Sequence, residues 1–186
     1  RMMLTYIEPD GTIFTANSTR QDNGKRVFPK YYYWEYLTMG VERDIPEFLD
    51  FANYIFEVIE ENHLTAPDIL IHYMNRPELI DFEWEGCGQL TEFERIYSES
   101  GIARVRKGDI TYTLMKGKSG FLYFSTASLD VAVKIGGCIC EHRAFIPETF
   151  EKTEDGFLLT QVMKGWYYLP FKEYQGTSDW WQMDNS

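Results

Sequence analysis

The spacing of apolar positions changes once along this chain, near Leu90. Before that point apolar residues recur at helical intervals. Phe48, Ala52, Ile55 and Ile59 mark one face of a helix, with Leu49 and Phe56 beside them, while Glu57, Glu60 and Glu61 form its solvated side. Asp44, Pro46 and Glu47 read as its start, with Asp44 as amino-terminal cap and Glu47 three residues on. The run "PKYYYWEYLTMG" ahead of it is apolar on nearly every side and predicts a helix buried between other elements. "TAPDILIHYM" predicts a third helix with Thr65 as cap, ended at Arg76 because the residue before Pro77 is pushed out of helical geometry.

After Leu90 the period is two. Ile102, Arg104 and Arg106 share one face of a strand, and Ala103 and Val105 share the other. Turns are expected at Ser100-Gly101, at Lys107-Gly108-Asp109 and at Asp155-Gly156. "FLYFST", "LDVAVKI", "RAFIPETFEKT", "GFLLTQVM" and "GWYYLPF" continue the pattern. Helices first and strands afterwards give an α+β chain, with an α-helical segment over residues 1–85 and an antiparallel β-sandwich segment over 86–186. The polar tail with Trp180 and Trp181 predicts a sandwich that continues past Ser186. Because Arg1 is not an initiator methionine, the chain reads as a segment of a longer protein.

Composition narrows the function. The 186 residues carry a net charge of −11, and residues 41–99 alone account for −12. A broad basic surface for nucleic acid is therefore not expected. No run reaches the roughly 18 apolar residues of a membrane span. Three cysteines are too few for a disulfide framework. Cys138, Cys140 and His142 alternate and would share one strand face, but no fourth ligand is evident, so they read as small core residues and no metal is expected. No dinucleotide, zinc-protease or esterase motif is present, and "MKGKSG" lacks the first glycine of a phosphate loop because Tyr112 stands there, so no cofactor is implied.

One stretch stands out against the acidity. Residues 17–30 carry a net +3, from Arg20, Lys25, Arg26 and Lys30 against Asp22. Asn17, Arg20, Gln21 and Asp22 form a dense hydrogen-bonding set suited to hydroxyls or a carboxylate, and Arg20 can grip a carboxylate by two parallel bonds. The same loop reads equally as a solvated turn held by its own Asn, Ser and Asp side chains. Tyr31, Tyr32 and Tyr33, with Trp34 and Tyr36, read first as core, with one or two reaching a cleft where a phenol can exchange a proton.

The order of parts, with "DGTIFTANSTRQDNG" before an aromatic helix, "SGIARVRKGDITYTLMKG" opening the β part, and "GWYYLPF" and "TSDWW" near the end, resembles the heparinase II/III-like polysaccharide lyases. The resemblance implies that the helices are the end of an incomplete α/α toroid and that a cleft between toroid and sandwich takes an acidic polysaccharide. It implies β-elimination: a cation or amide neutralises a uronate carboxylate, a tyrosine or histidine removes the C5 proton, and an acid protonates the departing O4. Carried onto this chain, Asn17 and Arg20 would neutralise the carboxylate, Gln21 and Asp22 would fix ring hydroxyls, and Tyr31, Tyr32 or Tyr33 would exchange the proton. A periplasmic or extracellular setting is implied as well. A full lyase site also draws a histidine from elsewhere in the toroid, and neither His63 nor His72 has a supporting motif. Two other classes stay open. One is a toroid-borne glycoside hydrolase, which needs paired carboxylates such as Asp22 with Glu35. The other is a non-catalytic sugar-binding or structural sandwich with Trp166, Tyr167, Tyr168, Trp180 and Trp181 as a stacking platform.

Overall fold

The computed structural model describes residues 2–139 and 142–165, and the side chains of residues 2–137 and 143–165. Cys140, the side chains of Cys138 and His142, and the aromatic platform from Trp166 onward lie outside what is described. The chain is α+β. Helices α1 (Tyr33–Arg43), α2 (Pro46–Glu61) and α3 (Leu70–Asn75) precede the strands β1 (Glu92–Tyr97), β2 (Ile102–Lys107), β3 (Ile110–Met115), β4 (Leu122–Ser125) and β5 (Asp130–Val133). These five form one antiparallel sheet in sequential order. Two ribbons follow, β6 (Gly136–Ile139) with β7 (His142–Ala144), and β8 (Thr149–Lys152) with β9 (Phe157–Thr160). Among the described residues no helix is long and apolar enough to cross a membrane.

The helical core forms where α1 folds back on α2. Tyr36 and Leu37 meet Phe48, Phe51, Ala52 and Ile55, and the Tyr36 ring stands edge-on to both Phe48 and Phe51. Gly40 permits the close crossing, because a Cβ there would sit 2.5 Å from Leu49 Cδ2. Leu4 and Ile7 join this core from the amino-terminal segment. Tyr6 and Phe14 of the same segment pack instead on Ile102 and Met115 of the sheet. Residues 3–16 thus belong to both cores, and their alternate side chains join helices to sheet.

Several sequence expectations change here. The α1 helix buries only one side: Tyr36, Leu37 and Gly40 are covered, while Tyr31 and Tyr32 ahead of it are exposed. Asp44 does not cap α2. It ends α1 in the left-handed conformation, with φ 51°, and its amide donates to the Gly40 carbonyl. Ile45 occupies the cap position of α2 with no side-chain hydrogen bond. A two-residue link between helices leaves room for one reversal, and the chain stop of α1 takes it. Phe56 is half-exposed, at 48%, because the buried stripe runs through Phe48, Phe51, Ala52, Ile55 and Ile59, and Phe56 falls beside it. Thr65 caps nothing: α3 begins after Ile69 without a side-chain cap, and the Thr65 carbonyl accepts from Lys30 Nζ.

Phe51→Ala should cost about 3–5 kcal/mol in urea melts, since that ring is wholly enclosed. Phe56→Ala should cost well under half as much. Asp44→Gly should raise stability by about 0.5–1 kcal/mol, because glycine takes a left-handed backbone without the Cβ penalty. A loss of stability from Asp44→Gly would show that the Asp44 side chain does act as a cap.

Candidate functional site

The sheet face toward the amino-terminal segment is polar for a buried surface. Pairing register places Arg104 across from Thr113, and aligns Arg106, Thr111, Ser125 and Asp130 in one row over β2 to β5. Arg104, Arg106, Thr111, Thr113 and Ser125 are all buried. The Arg104 guanidinium is fully enclosed. Its Nε donates to the Thr5 carbonyl at 2.6 Å, and its Nη1 donates to Glu8 Oε1 at 3.0 Å and Thr113 Oγ1 at 2.7 Å. The group lies between the rings of Phe14 and Tyr6, with Cζ 4.7 Å and 5.2 Å from their centroids. Arg106 donates to the Gly108 carbonyl and to Gln89 Oε1.

Glu8 reaches this guanidinium because Pro9-Asp10-Gly11 turns the chain tightly. The Glu8 amide donates to the Thr12 carbonyl, the Gly11 amide donates to the Glu8 carbonyl, and Ile7 bridges Ile13. Gly11 is required at the tip: its φ is 81°, and a Cβ would press on the Tyr54 hydroxyl and on Val58. Asp10 accepts from the Thr12 amide and hydroxyl, and its other oxygen pairs with Arg26 Nη2 at 3.2 Å. Burial pushes the Glu8 carboxyl above the usual carboxylate range, Arg104 pulls it part of the way back, and Asp130 adds to the rise. Glu8 Oε2, Arg104 Nη2, Thr111 Oγ1 and the Tyr6 hydroxyl have no hydrogen-bond partner among the described residues.

A cavity of about 270 Å³ opens between this turn, residues 24–26 and the sheet. Glu8, Asp10 and Asp130 line it with Lys25, Arg26 and Tyr123, and Thr12 and Ser125 supply hydroxyls. Its size lies near the lower end of the ~300–1,000 Å³ span of small-molecule clefts.

The residues singled out in the sequence are dispersed relative to this cavity. Asn17 is half-buried, and its carbonyl, with that of Ala16, accepts from Lys118 Nζ. Arg20 and Gln21 are exposed on a turn. Asp22 accepts from the Ser18 hydroxyl, which holds its carboxyl below the usual range. Asn23 Nδ2 donates to the Ala16 and Ser18 carbonyls, so the loop is tied by its own polar side chains. Neither the loop's tip nor Tyr31, Tyr32 or Tyr33 lines the cavity. Tyr33 packs on Phe56, and burial, with Tyr73 beside it, raises its phenol above the ordinary range and so disfavours the phenolate that proton abstraction requires. Glu35 is exposed on α1. His72 stacks on Trp34 with ring centroids 5.0 Å apart, as a packing group of α3. The basic stretch does reach the cavity, through Lys25 and Arg26.

Comparison with protein-family models, with curated proteins and with solved structures finds no match to this chain. Functional inference therefore rests on the cavity's own chemistry.

The ion pair beneath the cavity should dominate local stability. Arg104→Ala should cost about 3–5 kcal/mol by leaving the Glu8 carboxylate enclosed without its partner. The native state holds the Glu8 proton more tightly than the unfolded chain does. This group's contribution is therefore complete below the ordinary carboxyl pKa of about 4.3 and is lost as pH rises through the elevated native value. Urea melts across that window should show stability falling with pH in the parent, with the slope reduced in Glu8→Gln. An unchanged slope in Glu8→Gln would place the proton elsewhere.

Proposed function

We propose that this chain is a carbohydrate-active protein whose cavity binds a carboxylated glycan unit, with β-elimination as the reaction class. The carrying observation is that a basic stretch of an acidic chain, residues 17–30, reaches a cavity with hydroxyls in its lining, at Lys25 and Arg26. Carboxylates and threonine and serine hydroxyls suit ring hydroxyls, and two cations suit one carboxylate. Lys25 and Arg26 take the neutralising role in this reading, ahead of Arg20. Neutralising a uronate carboxylate acidifies its α-proton, and in this reading Tyr123, a phenol on the cavity wall, would exchange it. The architecture goes with this reading: the helices would be the end of a toroid and the strands the start of a sandwich. Its support is the β8–β9 ribbon beside the second sheet face, where Lys152 pairs with Glu94 at 2.7 Å.

A second reaction class has one specific observation behind it. Glu8 and Asp130 line the same cavity, and Glu8 is the carboxyl shifted upward, which is the arrangement an acid–base hydrolase uses. Asp22 with Glu35 has no comparable setting.

Arg26→Ala should leave melting within about 0.5 kcal/mol of the parent, since the Arg26 side chain is largely exposed and Asp10 keeps its hydrogen bonds from Thr12. It should lower turnover of uronate oligosaccharides by an amount equivalent to about 2–4 kcal/mol if the cation meets charge developing on the carboxylate. Arg20→Ala should change neither. Ultraviolet absorbance of an unsaturated uronate product identifies elimination, and new reducing ends without that absorbance identify hydrolysis. Full activity in Arg26→Ala would overturn the assignment of this cavity.

A further inference from the structure

The loop that carries the basic stretch contains one chemically labile step. Asn23-Gly24 is the only Asn–Gly pair in the chain. Asparagine is labile where the next residue lacks a side chain, because the following amide nitrogen can then approach its Cγ. Both residues are exposed. Gly24 lies in the left-handed region at φ 66°, and apart from its chain neighbours nothing stands within 4 Å of where a Cβ would be, so the step is uncrowded. The Gly24 amide donates to no carbonyl among the described residues. The amides on either side are engaged: Asn23 donates to the Arg20 carbonyl and Lys25 to the Asp22 carbonyl. Asn17, Asn53, Asn62 and Asn75 are followed instead by serine, tyrosine, histidine and arginine.

The Asn23 side chain also holds the loop closed. Its Nδ2 donates to the Ser18 carbonyl at 2.6 Å and to the Ala16 carbonyl at 3.1 Å. Two carbonyl acceptors require an NH2 group at this place, and a carboxylate put there meets only lone pairs. Cations stand close by. Asn23 lines a cavity of about 320 Å³ together with Lys118 and Lys134, and no carboxylate shares that lining. Lys118 Nζ donates to the Ala16 carbonyl at 3.2 Å and to the Asn17 carbonyl at 3.1 Å, so Lys118 and Asn23 share one acceptor.

We propose that Asn23-Gly24 is a self-modification site whose conversion re-pairs the basic loop. The Gly24 amide nitrogen bonds to Asn23 Cγ, the Cγ–Nδ2 bond breaks, and Nδ2 leaves as ammonia with the proton that the Gly24 amide gives up. Water then opens the cyclic imide at either carbonyl, leaving an aspartyl or isoaspartyl link and a carboxyl group that ionises at neutral pH. Water is the only co-reactant. The new carboxylate loses both carbonyl partners and has two ammonium groups beside it, so position 23 leaves the Ala16 and Ser18 carbonyls and pairs with Lys118. Lys118 is drawn away from the Ala16 and Asn17 carbonyls, and the net charge of residues 17–30 falls by one unit. The near end of the loop is released while Asp10 still holds Arg26. Nothing in this chemistry depends on what the neighbouring cavity binds.

The test is incubation of the whole chain at neutral and mildly alkaline pH, followed by peptide mapping in a mass spectrometer and enzymatic methylation of isoaspartate. Position 23 should exchange NH2 for OH, faster at the higher pH because the attacking nitrogen must give up its proton, while Asn17, Asn53, Asn62 and Asn75 stay unchanged. Conversion should be slower than in urea, because two hydrogen bonds restrain the side chain, yet equal in Phe51→Ala and the parent. Hydrogen exchange of the Ser18, Asn23 and Lys25 amides should quicken about fivefold in the converted chain and in Asn23→Asp, the worth of one neutral hydrogen bond, with the helical core unchanged. Lys118→Ala should quicken the same amides in the parent and add nothing in Asn23→Asp. Asn23→Gln, which lengthens the ring to be closed, should not change on incubation. Conversion no faster at position 23 than at the other asparagines overturns the site, as does a rate that climbs with the unfolded fraction in Phe51→Ala. Conversion that leaves the loop amides unchanged, or Lys118→Ala and Asn23→Asp effects that simply add, overturns the re-pairing.

Discussion

A guanidinium sealed from water has to find its hydrogen bonds and its counter-charge inside the protein, and Arg104 finds both in the amino-terminal segment. Its acceptors are the Thr5 carbonyl and Glu8, ninety-nine and ninety-six residues away, with Thr113 from the adjacent strand. Taking the pair out of water costs several kcal/mol per ion, so the arrangement holds only while every one of these groups keeps its place. The consequence is positional. Residues 3–16 cannot shift along the sheet without stranding a charge, and the Glu8–Thr12 turn is fixed in register over β2 and β3.

That fixed register is what gives the cavity a defined wall. The Asp10 carboxylate is held by Thr12 on one side and Arg26 on the other, so the basic stretch is attached to the turn at its far end. Lys118 ties the near end by way of the Ala16 and Asn17 carbonyls. Between these anchors the loop is closed by Ser18–Asp22 and Asn23 hydrogen bonds of its own. Rigid attachment at both ends is the condition under which exposed side chains such as Lys25 and Arg26 can act as site residues, since the loop's ordering cost has already been met in folding.

The sequence showed elements more readily than partners. The change of period at Leu90 separates helices from strands correctly, because burial of one face imposes its spacing on any chain. Face assignment was less accessible. Phe56 sits beside the α2 stripe, and a one-position error in phase turns a buried ring into a half-exposed one. Asp44 satisfies the composition rule for a cap, yet a two-residue link gave it to the end of α1 instead. The larger gap lies at the site. Arginine alternating with apolar residues on a strand ordinarily marks a solvated face, and nothing within "GIARVRKG" shows that Thr5 and Glu8 will cover it. Glu8 went unnoticed for the same reason. A lone acid beside a turn has no local signature, and its role comes from a contact across most of the chain. The signal that could have found it was the pairing of two strand arginines with a largely apolar amino-terminal segment whose acids are Glu8 and Asp10.

The site's design follows from where charge is spent. Most carboxylates of this acidic chain are solvated, but Glu8 is inside, and its neutral form is favoured by burial while its ionised form is favoured by Arg104. Burial outweighs Arg104 in this balance, so the carboxyl stays above the usual range, and charge brought beside Asp130 or Arg26 would move it further in one direction or the other. The buried ion pair therefore couples two properties that are usually separable. Anything that loosens residues 3–16 from the sheet alters the cavity wall, and anything that binds in the cavity alters the electrostatics of the contact holding those residues down. By linkage, a ligand that binds only the docked arrangement favours that arrangement, so occupancy of the cavity and closure of the two cores on each other rise together.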